Sequence, residues 1–309
     1  MKQYVLSLGF LILFTTAGFA QSLPIILDAD TGNEMDDFYA IVKAVRDPGL
    51  EVTALISGHF NNAQLLTDSL WHIYPTAEIN TVQISQAENE KLLRSLKRED
   101  IPHPIGSDRM VGYAWGQYQN VPPPQSAGTD YIVAQARQAS PDNKLVIVSL
   151  GAATNVAAAI LTDTTIARNI RLYALNMKLD IDRRVWSKNS FNARNDTNGL
   201  DVLLNTRDLE LYLMPGNVSK SLVFDRQRSL KELATADDET NQILTQRWDE
   251  VGSHTTHIMW DVALIEAILH PEFATLETMS TPPENTQRNI NVYTAIKPDQ
   301  MEADFWKSF

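Results

Sequence analysis

Short apolar runs that end in polar turns, alternating with stretches of helical spacing, constrain this chain more than any other feature. Runs of strand length occupy residues 24–27, 52–56, 145–150, 171–175, 210–214 and 289–296. Between them, residues 36–45 place apolar side chains at helical spacing and stop at Asp47-Pro48-Gly49. Residues 61–74 and 154–161 read as further helices, residues 88–99 as a charged amphipathic one, and the Pro- and Gly-rich stretch 101–125 as a long surface loop. Strands alternating with helices predict an α/β fold, with a Rossmann-like, mostly parallel sheet and helices on both faces. No repeat or low-complexity linker divides the chain, so one domain over residues 21–309 is expected. Ligands of such sheets sit beyond the carboxyl ends of the strands. The polar residues just after each apolar run are therefore the functional candidates.

Composition narrows the partners. With 26 Lys plus Arg against 38 Asp plus Glu, the net charge of −12 disfavours a nucleic-acid backbone as ligand. The absence of cysteine excludes disulfides, thiolate metal sites and a cysteine nucleophile. Met1-Lys2, the apolar run 5–14 and the small residues up to Ala20 have the layout of a secretory signal peptide over residues 1–20, cut before Gln21. The run is shorter than the roughly 20 residues of a membrane span. An exported protein, periplasmic or secreted and free of the membrane after cleavage, is the expectation.

The first strand runs directly into Asp28-Ala-Asp30-Thr-Gly-Asn-Glu34-Met-Asp36-Asp37, five carboxylates in ten positions with no Lys or Arg between Lys2 and Lys43. Two ionised carboxylates about 4 Å apart repel by roughly 4 kcal/mol at an effective dielectric near 20. Several of them converging at a strand end must take up protons or a cation, and oxygen-only donors select Ca²⁺ or Mg²⁺. A solvated acidic turn, with Asp36 capping the next helix, is the plainer alternative. An EF-hand is excluded, because Gly32 and Tyr39 fall where ligands are required.

Asp28-x-Asp30-x-Gly32 followed by Asp36-Asp37 resembles the opening signature of the nucleoside hydrolases, Asp-x-Asp-Pro-Gly-x-Asp-Asp, with Thr31 in place of Pro and two extra residues. Further similarities follow in the family's order: Ser57-Gly58, the Leu150–Asn155 turn, Ser190-Phe191-Asn192 with Asp196, and Trp260-Asp261 opening a helix that ends at His270-Pro271. The resemblance spans the mature chain and implies Ca²⁺-dependent hydrolysis of the N-glycosidic bond of ribonucleosides or related N-ribosides. It implies Asp30, Asp37, Asp261 and the Leu150 carbonyl as metal ligands, and Asp30 also as the base that takes a proton from water. Asp36 and Asn192 would bind the ribose, and Asp28 would support the loop. A small nucleoside is the implied partner, and a homo-oligomer the implied assembly.

The departures are specific. Trp260 replaces a histidine that helps the base leave; its ring can stack on a base but cannot act as an acid. His257 and His254 are the nearby substitutes, although His254-Thr-Thr-His257 lacks the spacing of a zinc motif. Ser190 replaces a glutamate beside the ribose, and His59 stands where an asparagine is expected, with Asn61 and Asn62 close by. Trp186 is a further substrate-contact candidate, whereas Tyr113, Trp115 and Tyr118 read as loop packing and Asn155 as a turn-fixing residue.

Two rival readings stand beside this one. The start of a haloacid dehalogenase-type phosphatase is similar, with Asp28 as nucleophile, Mg²⁺ as the ion and Ser149 as a second motif, but it leaves Asp36-Asp37 and Asp261 unexplained. The other is a non-catalytic exported protein that binds Ca²⁺ and a ribosyl ligand.

Overall fold

A computed structural model describes residues 22–61, 80–112 and 122–309. The expected signal peptide, all but the first residue of the helix expected over residues 61–74 (Asn62 included), and the Tyr113, Trp115 and Tyr118 cluster lie outside the described residues.

In chain order the strands are β1 (Leu23–Ala29), β2 (Leu50–Ser57), β3 (Leu145–Ser149), β4 (Ile170–Leu175), β5 (Lys178–Asp180), β6 (Val185–Ser187), β7 (Glu210–Met214), β8 (Val223–Asp225), β9 (Thr256–Ile258), β10 (Ala274–Ser280) and β11 (Asn289–Ile296). The helices among the described residues are α1 (Asp36–Arg46), α2 (Thr81–Ser95), α3 (Ala127–Gln138), α4 (Thr154–Thr162), α5 (Phe191–Asn195), α6 (Thr197–Asn205), α7 (Gly216–Ser219), α8 (Arg226–Leu233), α9 (Glu239–Glu250), α10 (Trp260–Leu269) and α11 (Pro298–Phe305).

Seven strands form the central sheet in the order β10-β11-β7-β4-β3-β1-β2. All neighbours pair in parallel except β10, which runs antiparallel to β11 at one edge. The mostly parallel sheet read from the alternation of apolar runs is therefore the observed one. β1 is central and its side chains alternate across the sheet. Ile25, Leu27 and Ala29 face a core completed by α1, α10 and α11, while Ile26 faces a core completed by α3, α4 and α6. Burial on both faces explains why these strands read as continuous apolar runs rather than as alternating ones.

Beside β1 lie β2 on one side and β3 on the other, so the chain reverses direction across the sheet after β2. Loops leaving β1 and β3 therefore diverge and open a crevice at their carboxyl ends. Three local readings need correction. Helix α2 begins at Thr81, seven positions before the expected residue 88, and ends at Ser95. Helix α3 occupies residues just after the expected loop, where no helix is expected from the sequence. The N-cap of α1 is Met35 with no side-chain hydrogen bond, so Asp36 lies within that helix and does not cap it.

Candidate active site

The acidic loop reaches the crevice through a short set of local constraints. Gly32, at φ 98°, supplies the left-handed turn after Asp30 that β-branched residues resist. The Thr31 hydroxyl donates to Asn89 Oδ1 at 2.6 Å and ties the loop to α2. Asp36 and Asp37 lie in the first turn of α1, and Asp261 in the first turn of α10. Both helices thus direct their positive dipole ends at the carboxylates. Asp36 Oδ2 accepts the backbone N–H of Asp261 at 3.1 Å, which joins the two helix starts.

A cavity of about 320 Å³ opens here. Asp30, Glu34, Asp36, Asp37 and Asp261 line one part of it, with Leu150 and Trp260 beside them. Asp30, Asp36, Asp37 and Asp261 are all at most 4% exposed. Burial pushes Asp30 up to about 8 and Asp36 to about 7, and the neighbouring carboxylates add to the effect. Desolvation and the same mutual repulsion hold Asp37 and Asp261 well above the usual carboxylate range. One oxygen on each of Asp30, Asp37 and Asp261 (Oδ2, Oδ1 and Oδ1) has no hydrogen-bond partner. Leaving such an atom buried and unpaired costs about 1–3 kcal/mol, and more when it is charged. Oxygen donors without protein donors opposite them fit a hard cation. Asp36, Asp37 and Asp261 already place ligand atoms within 4.8 Å of one another, so Asp36 joins this group although the resemblance gives it to the sugar.

Asp28 plays a different part. It does not line the cavity; its oxygens accept from Asn155 Nδ2 at 2.8 Å and from Ser149 Oγ at 3.3 Å. Asn155 also donates to Ser57 O at 3.1 Å and accepts from Ser107 N at 2.7 Å, so it bridges β1, β2 and a later loop. A fully hydrogen-bonded carboxylate away from the cavity is a brace, and this removes the ground for Asp28 as a phosphatase nucleophile. Gly151, just after β3, explains how close the loops come: a Cβ there would lie 2.8 Å from Asp30 Oδ1.

Other expected residues divide into those that line the cavity and those that do not. Ser190 lines it while its Oγ accepts from Ala193 N at 3.3 Å as the N-cap of α5. Asn192 also lines it, donating to the carbonyls of Leu150 at 2.5 Å and Leu175 at 2.9 Å. Trp186 instead packs on the core and donates to Ser280 O at 3.1 Å. His59 is buried, with Nε2 at 2.8 Å from Thr154 Oγ1, which in turn donates to Asp196 Oδ2 at 2.7 Å. Burial pushes His59 down to about 4, so it is neutral at ordinary pH. His254 is exposed and away from the cavity. His257 lies behind Trp260, its ring edge-on at 6.1 Å, with Nε2 at 3.6 Å from Glu34 Oε2. Burial disfavours its charge, but Glu34 and Asp36 outweigh that and raise its proton affinity.

The cavity also contains residues that the sequence reading did not single out. Asn176, Met177 and Lys178 follow β4, and Gly216, Asn217 and Lys220 follow β7. The rule of taking the polar residue after each apolar run would have found Asn176 and Asn217.

A parallel α/β sheet with a buried carboxylate crevice at its reversal point defines the class. The sequence profile of inosine-uridine preferring nucleoside hydrolases matches residues 25–303, and the chain belongs to that family. Among curated relatives, probable uridine nucleosidase 2 of Arabidopsis thaliana is 25% identical over 187 residues, covering 58% of this chain and 55% of that one. The matched part is thus about half the length of that relative. A plant nucleoside hydrolase structure superposes with a TM-score of 0.69 at 15% identity, covering 93% of this chain and 98% of that one. A purine-preferring ribonucleoside hydrolase from Gardnerella vaginalis gives 0.66 at 14% identity, covering 92% and 97%. At these identities the structures speak for the fold.

Proposed function

We propose that this chain is an exported hydrolase that splits the N-glycosidic bond of ribonucleosides or related N-ribosides, giving base and ribose, and that it depends on Ca²⁺. The observation that carries this reading is the set of partnerless buried oxygens on Asp30, Asp37 and Asp261 facing one cavity, in a member of this family. Those three carboxylates and the Leu150 carbonyl would hold the ion, with Asp36 close enough to contribute. A bound divalent cation supplies a lowered pKa for coordinated water and an anchor for hydroxyl oxygens.

The protein's own groups account for the rest. Asp30 accepts a proton from the water that attacks the anomeric carbon; the C–N bond breaks, and the base leaves with the bonding electron pair and takes up a proton. Buried carboxylates around the sugar stabilise the positive charge that develops on it. Asp36 and Asn192 orient the ribosyl hydroxyls, and Ser190 adds a neutral contact. Trp260 offers its ring to the base, and His257, which lies behind Trp260 beside Glu34 with a raised proton affinity, would deliver a proton to that side through Glu34, which lines the cavity. Export rests on the signal-peptide layout of residues 1–20.

A panel of purine and pyrimidine nucleosides, assayed for released ribose, tests this directly. Turnover should vanish on chelation and return with Ca²⁺. No turnover on any riboside, together with tight Ca²⁺ and ribose binding, would instead establish the non-catalytic binder.

A further inference from the structure

The cavity has two chemically opposite ends. Carboxylates come from the β1 loop, α1 and α10, whereas the segments after β4 and β7 contribute hydrogen-bond donors. Asn176 is 2% exposed, and its Nδ2 has no partner although the residue lines the cavity. Lys178 and Lys220 line it too, and the ammonium of neither makes a hydrogen bond or ion pair with a described residue. Both lysines are exposed at its mouth, so in a chain of net charge −12 this rim carries two cations free to meet an anionic ligand.

Their placement is built into the fold. Asn217 clasps the backbone of Leu179 with both ends of its amide, donating to O and accepting from N at 2.8 Å each. Gly216 N donates to Met177 O at 2.9 Å, and Asn176 N donates to Met214 O at 3.1 Å. Met177 is held at φ 59°, a left-handed conformation that non-glycine residues seldom adopt. These contacts fasten the segment after β4 to the segment after β7, bringing Lys178 and Lys220 to the same mouth.

Strand order sets the distance to the carboxylates. β4 is the second strand from β1 and β7 the third, so at about 4.8 Å per strand the donors stand roughly 10–14 Å along the sheet from the acidic loop. A ribosyl group whose anomeric carbon and ring hydroxyls face the carboxylates extends its exocyclic 5′ carbon the other way. Two lysines and an amide donor match the charge and acceptor oxygens of a phosphate on that carbon.

We propose that the preferred substrates are ribosides bearing a 5′-phosphate, held by Asn176, Lys178 and Lys220. The inference rests on the N-ribosyl hydrolase reading, and the reaction becomes riboside 5′-phosphate plus water giving base plus ribose 5-phosphate, with the phosphoryl group untouched.

Calorimetry with ribose, ribose 5-phosphate and inorganic phosphate on the Ca²⁺-loaded protein provides the test, with uridine and uridine 5′-monophosphate turnover measured alongside. Ribose 5-phosphate should bind at least tenfold more tightly than either ribose or inorganic phosphate. The double variant Lys178→Glu/Lys220→Glu should lose that margin, and Asn176→Asp should reduce it. Equal affinity for ribose and ribose 5-phosphate overturns the proposal, as does a margin that survives the charge reversals. Inorganic phosphate binding as tightly as ribose 5-phosphate overturns it too, since the sugar would then contribute nothing. Uridine turnover without the phosphate margin leaves the hydrolase reading standing and removes only this one. Absence of turnover on both substrates counts against the hydrolase reading, while the binding data still decide the phosphate end.

Discussion

Asp30 is asked to stay dry and still carry charge. Burial pushes it up to about 8, so without a cation it holds its proton at neutral pH and cannot serve as a base. As a general base it is worth about 10²–10⁴ in rate, and Asp30→Ala should lower kcat by at least that factor while circular dichroism stays unchanged. Wild-type turnover in Asp30→Ala would overturn the assignment. Gly151→Ala tests positioning without removing any functional group. The added methyl would crowd Asp30 Oδ1, and displacing a reacting group by a fraction of an ångström to 1 Å should cost about 10²-fold in kcat with the melting temperature little changed. Asp30 and Asp37 stand out in the sequence as part of the acidic run that follows an apolar strand, whereas Asp261 is marked only by the resemblance of Trp260-Asp261 to the family's helix start. Trp186, a substrate-contact candidate by sequence, instead packs its ring on the core through contacts that no local pattern encodes.

At the scale of elements, the site depends on how β1, α1 and α10 are braced. Asn155 joins Asp28, Ser57 and Ser107 across three segments, and Asn155→Ala would leave buried groups unpaired. Urea unfolding should show a loss of about 2–4 kcal/mol. On the other side of the sheet, Lys43 of α1 is 1% exposed and sits 3.3 Å from Glu266 of α10 and 2.9 Å from Asp304 of α11. Burial pushes Glu266 up to about 8 even against the pull of Lys43. Lys43→Met should therefore cost about 3–5 kcal/mol by leaving buried acids without their cation, and the same urea experiment measures it. Most strands of the main sheet were legible in outline, because burial on both faces makes a short unbroken apolar run. The β5–β6 and β8–β9 antiparallel pairs were not, since three residues per strand carry too little pattern.

For the whole molecule, the concentrated acid makes stability depend on pH in an unusual direction. Asp28 and Asp196 stand near 6, Asp36 near 7 and Asp30 near 8, against 3.8 in the unfolded chain. Between about 4 and 8 the folded protein binds more protons than the unfolded one, so the stability these groups contribute at low pH is lost as pH rises. Thermal melts of the metal-free protein should fall steadily over that window. Saturating Ca²⁺ should flatten the fall, because a cation replaces the protons and binds the folded state alone. A metal-free melting temperature that rises from pH 4 to 8 would contradict this account.

The sequence by itself determined the α/β class, the position of the acidic loop at a strand end and the identity of its carboxylates, because periodicity and charge density are local properties. Only the tertiary structure decided which carboxylates meet, that Asp28 is a brace, and that Lys178 and Lys220 share a cavity with them. Those outcomes depend on strand order: residues some 140 positions or more from the acidic loop come to face it because β4 and β7 lie two and three places from β1 in the sheet, and pairing over such separations is set by the packing of the whole core rather than by any stretch of chain.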